Sequence, residues 1–141
     1  MKTEKKENSV FEIEFLEGIV KRCPDFVEAL TALGDLYTSV GRHADGLEID
    51  KRLTRLRPQD AVVLYNLACS YSLLNDIDKA FWAIKRAIHF GYDDLEYLQQ
   101  DDDLRNVFED SRFKQYFAII WKNALKNNTI RPRPKKMFKD Q

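Results

Sequence analysis

Apolar positions recur along this chain at helical spacing, in blocks separated by proline, glycine or asparagine. Phe11, Phe15, Leu16, Ile19 and Val20 form the first stripe; Ser9 is a suitable cap for a helix running to about Arg22, which Pro24 ends. The spacing predicts a second helix from Pro24 or Asp25 to about Ser39, stopped by Gly41. A third runs from about His43 to Leu56, with Leu47, Ile49, Leu53 and Leu56 apolar. Pro58 then breaks the chain, Asp60 caps a helix over 61–74, and Asn75 repeats the stopping role of Gly41. A fifth helix covers about 78–90, with Ala80, Phe81, Ile84, Ala87 and Ile88 on its buried face, and Gly91 ends it.

These blocks repeat. Pro24, Leu30, Leu33, Gly34 and Tyr37 are followed 34 residues later by Pro58, Leu64, Leu67, Ala68 and Tyr71. A fixed period of that length predicts a helix–turn–helix solenoid, in which no unit can bury its apolar face alone. Beyond Gly91 the period fails: Leu98 keeps the first leucine position, but Asp101 falls on the second. A helix starting near Asp93 is therefore cut short by Asp101-Asp102-Asp103, with Asp103 placed to cap a brief turn through Val107. Asp110 or Ser111 can cap a last helix to about Asn127, whose Phe113, Tyr116, Phe117, Ile120 and Ala124 would cover the open end of the core. The expected fold is all-α, a short right-handed α-solenoid of antiparallel helix pairs closed by a C-terminal capping helix. Its expected organisation is a flexible lead over 1–8, then a helical domain over 9–128. That domain divides into a half-repeat (9–24), repeats at 27–60 and 61–94, and a capping segment (95–128). Residues 129–141 form a basic tail, Arg131 to Lys139 with Pro132 and Pro134, expected to be disordered.

The residues in this register resemble the tetratricopeptide repeat. The first unit offers Leu30, Leu33-Gly34, Tyr37, Gly41, Gly46, Leu53 and Pro58, but has Asp50 at an aromatic position and Leu53 at an alanine position. The second offers Leu64, Leu67-Ala68, Tyr71, Ala80, Ile84 and Ala87, with Tyr92 where proline would stand. Gly91-Tyr92-Asp93-Asp94-Leu95-Glu96 through Asp110-Ser111-Arg112-Phe113 is similar to a closing segment of bacterial repeat proteins, which implies a bacterial origin. The resemblance implies a concave face lined by the first helix of each unit. Here that face carries Glu28, Thr31, Asp35 and Thr38, then Val62, Tyr65, Asn66, Cys69 and Ser72, the expected partner-binding residues. The family's two-carboxylate clamp for chaperone tails would need lysine and asparagine where Thr31 and Asp35 stand; only Asn66 matches, and Asp35 would repel a carboxylate.

Charge adds one asymmetry. Lys plus Arg and Asp plus Glu each total 23 in 141 residues, so the net charge is zero. Residues 9–60 carry −3 and 61–128 carry −2, against +4 in 129–141. A mildly acidic body gives no support for nucleic acid as the main ligand, and the tail is the one segment that could touch it. Cys23 and Cys69 form no CxxC motif, and no leader or membrane-spanning run is evident, so a reducing, cytoplasmic setting is expected. His43 and His89 have no ligand neighbours at metal spacing, and the Asp101–Asp103 run lacks the spacing of a calcium loop. No phosphate loop or nucleophile–base pair is visible. No enzyme activity, metal or cofactor is expected. The expected function is capture of a protein or peptide on the concave face, with homo-oligomeric self-association or a nucleic-acid accessory role of the tail as alternatives.

Overall fold

Left-handed stops at Gly41 (φ +82°), Asn75 (φ +61°) and Gly91 (φ +109°) fold the chain back on itself at the positions the repeat requires. The computed structural model describes residues 2–127, with side chains from Glu4 onward. The helices are α1 (Lys2–Arg22), α2 (Val27–Ser39), α3 (His43–Leu56), α4 (Ala61–Leu73) and α5 (Ile77–His89). They continue as α6 (Leu95–Gln100), a 3-10 turn (Asp102–Leu104), α7 (Arg105–Phe108) and α8 (Ser111–Lys126). Among the described residues there is no strand, and no helix is long and apolar enough to cross a membrane. The chain is an all-α, tetratricopeptide-like solenoid in which α2 pairs with α3 and α4 with α5. The basic tail and the readings attached to it lie outside the described residues.

Three local expectations differ from what is observed. Helix α1 starts at Lys2, seven residues before Ser9. No proline or glycine interrupts 2–9, and the Ser9 hydroxyl donates to the Lys5 carbonyl (2.9 Å) from inside the helix instead of capping it. Helix α2 starts at Val27, after Phe26, and has no side-chain cap. The turn after α6 is capped by Asp101, which accepts from the Asp103 amide at 3.0 Å, and not by Asp103. Asp60 on α4 and Asp110 on α8 cap as the sequence suggests; Asp76 on α5 and Asp94 on α6 are further caps that the sequence reading did not name.

Two apolar clusters stack along the solenoid. In the first, Leu30, Leu33 and Tyr37 of α2 meet Ile13 and Val20 of α1 and Ile49 and Leu53 of α3. The Tyr37 hydroxyl donates to Glu17 (2.5 Å), tying the unit to the helix before it. Gly34 sits at a close approach of α2 to α3: a Cβ there would lie 3.2 Å from Ile49 Cγ2 and 3.4 Å from an Asp50 oxygen. The second cluster runs from Leu64 through Ala80, Ile84 and Ala87 to Leu98, Leu104, Val107, Phe113 and Phe117. Phe113 is fully buried, edge-on to Phe81 (5.2 Å) and Phe108 (4.7 Å), so α8 closes the core as an aromatic cap.

This packing gives a direct test. Phe113→Ala is expected to cost about 3–5 kcal/mol, whereas Ile119→Ala, on the exposed side of the same helix, stays within about 0.5 kcal/mol. Urea unfolding followed by helical circular dichroism measures both.

Candidate functional site

The concave side carries a pocket of about 260 Å³ between α2 and α4, closed at one end by the segment after α6. Of the expected partner-binding residues, Asp35, Thr38, Tyr65, Asn66 and Cys69 line it. Glu28, Thr31 and Val62 lie on the same stripes outside the lining, with Glu28 exposed, Val62 61% exposed and the Thr31 hydroxyl turned back to the Val27 carbonyl (2.8 Å). Ser72 differs from its expected surface role. It is fully buried because the chain beyond α6 covers it, with the Asn106 amide donating to the Ser72 carbonyl at 2.9 Å.

The covering segment is built around Asp101. Its Oδ2 accepts from the Tyr65 hydroxyl (2.5 Å) and lies 3.8 Å from the Cys69 thiol, while its Oδ1 caps the 3-10 turn. Tyr65 is thereby taken out of the open groove. Its ring stacks on Tyr92 (4.4 Å between centres, 7° between planes), and Tyr97 packs obliquely at 6.2 Å. Burial, with nearby Cys69 and its bond to Asp101, pushes the Tyr65 hydroxyl far above its usual range. Burial and the Asp101 charge likewise raise the Cys69 thiol, so it stays protonated and is a poor nucleophile. Cys69, Asp101 and Asp103 each offer a possible metal-ligand atom, all within 4.8 Å of one another. The Asp101 oxygens already accept from Tyr65 and the Asp103 amide and face the Cys69 thiol, so Asp101 is engaged within the fold.

Sequence reasoning missed seven lining residues: Gly34, Ser39, Asp50, Ser70, Tyr97, Asp101 and Asp103. Two are visible as departures from the repeat, Asp50 on an aromatic position and Asp101 on a leucine position, although neither departure by itself marks a site. Asp50 is buried on α3 and accepts from the Ser70 hydroxyl of α4 at 2.5 Å, joining the two units. Burial lifts its carboxyl to about 6, opposed by the Ser70 bond and reinforced by the Asp35 charge. Asp35 is raised by desolvation, and Asp103 by desolvation and then by Asp101, with His43 acting in the opposite direction. The pocket thus gathers four carboxylates, and among the described residues no lysine or arginine lines it.

No protein-family model matches the chain. A curated chloroplastic protein from Arabidopsis thaliana is 28% identical over 80 residues, 55% of this chain and 24% of that protein. The chain therefore spans about a quarter of that relative's length. Among solved structures, a crystal structure of MamA protein superposes with a TM-score of 0.64 at 24% identity, covering 77% of this chain and 57% of that one. MamA 41-end from Desulfovibrio magneticus RS-1 gives 0.69 at 15% identity, covering 87% and 68%. These likenesses show the fold, a helical-repeat solenoid, and the matched organisms do not single out a bacterial origin.

The buried carboxylates and their partners give two tests. Because the folded Asp50 carboxyl is raised from 3.8 to about 6, its favourable contribution is complete below the lower value and is lost as pH rises through the higher. Asp50→Asn keeps an acceptor for Ser70 and is expected to gain on the order of 2 kcal/mol at about pH 8 and little at about pH 3; thermal melts at both pH values measure it. Tyr65→Phe removes the bond to Asp101 and is expected to lower stability by about 1–2 kcal/mol, read as a fall in the urea midpoint.

Proposed function

We propose that this chain is a non-catalytic protein-interaction module whose concave pocket takes a cationic side chain, lysine or arginine, from a partner peptide. One observation carries the reading: four carboxylates converge in the pocket without a basic residue in its lining among the described residues. Desolvation without a counter-charge is unfavourable, and the raised Asp35, Asp50 and Asp103 record that cost. An ammonium or guanidinium group entering the pocket supplies the missing charge. Tyr97, 43% exposed at the rim, offers an aromatic face for the stem of the same side chain. The exposed Val62 on the adjoining stripe suits an apolar residue of the same peptide.

The same charge disfavours a polyanion here, which argues against nucleic acid at this face. Binding rather than catalysis is supported by the protonated Cys69 and by an Asp101 carboxylate already engaged by Tyr65. Two free thiols, Cys23 exposed and Cys69 buried, suit a reducing compartment such as the cytoplasm.

Selection of a random peptide display library on the immobilised protein tests the reading. Lysine or arginine should be enriched at one position, and the selected peptides should lose most of their affinity for an Asp35→Asn, Asp103→Asn double variant. Peptides without a basic residue, or peptides that bind the variant equally well, contradict it. Affinity should also rise several-fold as pH increases through about 6, with proton release on binding, because the cation favours the ionised carboxyls.

A further inference from the structure

We infer that the two ends of the solenoid are complementary, so that α1 of one copy docks head to tail on the α7–α8 face of a second copy. The surfaces share no residue with the concave pocket, and the inference stands apart from the cation-binding reading. Helix α1 turns Ile13 and Val20 into the first core cluster and leaves its other face exposed among the described residues. That face holds Phe11 and Phe15, one turn apart and 70% and 61% exposed. Large aromatic rings so exposed are informative, because each withdraws much apolar area from water when it is covered. Glu7, Glu12 and Glu14 surround them; no basic residue occurs between 7 and 20, and none of the three is ion-paired among the described residues.

The other end has the opposite character. A groove of about 440 Å³ is lined by Phe108, Phe117, Ala118 and Trp121, with Lys114 at its edge. Helix α8 carries Arg112, Lys114, Lys122 and Lys126 and no acidic residue. Arg112 is held by Asp78 (2.6 Å) and Asp110 (2.9 Å), whereas the three lysines have no ion-pair partner among the described residues. One end thus presents two phenylalanines flanked by three unpaired acids. The opposite end presents an aromatic-lined groove flanked by three unpaired lysines.

Charge decides the geometry. Pairing α1 with α1 would place the glutamates against their own copies, and pairing α8 with α8 would do the same with the lysines. Only the heterologous pairing brings opposite signs together as Phe11 and Phe15 enter the groove. Such a contact leaves each copy with one free donor end and one free acceptor end, so assembly proceeds to a ring or an open filament rather than stopping at a symmetric dimer.

A charge-swap experiment on the full chain tests this, read by sedimentation velocity at low salt over a wide concentration range. Wild-type protein should increase in mean mass with concentration and lose that association at high salt. Glu12→Lys with Glu14→Lys, and separately Lys114→Glu with Lys122→Glu, should each give a folded monomer by circular dichroism. Mixing the two variants should restore association, because each supplies the partner charge the other lacks. Wild-type protein that stays monomeric overturns the proposal, as do folded variants that associate like wild type or a mixture that remains monomeric. Replacing the five basic residues of 129–141 by serine should leave the association in place; its loss there, with the lysine variants of α8 still associating, would assign the contact to the tail instead.

Discussion

The carboxylate of Asp101 is the constraint on which the shape of this protein depends. At that position the repeat calls for a leucine that buries itself between units, and an aspartate cannot do so without partners. It finds the Tyr65 hydroxyl and the neighbouring Cys69 thiol on the inner face of α4, and the Asp103 amide in the turn that follows α6. Helix α6 therefore ends after Leu95–Gln100, and the chain turns across the groove. Beyond that turn lies a closing segment, α7 and α8, whose Phe113 fills the last vacancy in the core. A single polar residue in an apolar register thus converts an extendable array into a capped one and closes one end of the concave pocket.

Most of the fold is legible in the sequence because it rests on short-range physics. Helical spacing of apolar residues and left-handed stops at Gly41, Asn75 and Gly91 fix the helices α2 to α5 to within two or three residues. The concave stripe is only half legible. Periodicity places Asp35, Tyr65 and Cys69 on one face, but it cannot show that Asp101 folds back and buries Tyr65, since that contact joins residues 36 apart. Ser72 departs from its expected exposure for the same reason. The mismatch at Asp50 is visible along the chain, while its meaning requires Ser70 of the next unit to be seen beside it. Departures from a repeat pattern are where function can be sought, because packing alone does not select them.

The distribution of charge supports a division of labour. Inside the groove, carboxylates are partly desolvated and raised, a state that favours a cationic visitor over an anionic one. At the two ends the charges are exposed and act over a Debye length, steering association and register more than adding affinity. A chain with zero net charge can thus offer one acidic recognition pocket and two oppositely charged ends without conflict.

Everything proposed for the concave pocket requires that its carboxyls be desolvated and uncompensated in the free protein. A carbon-detected NMR titration of the aspartate side chains reads that state without a partner present. Asp50 should titrate near 6, and Asp35 and Asp103 should titrate above the ordinary value of 3.8. Midpoints for all three in the ordinary carboxylate range would contradict it.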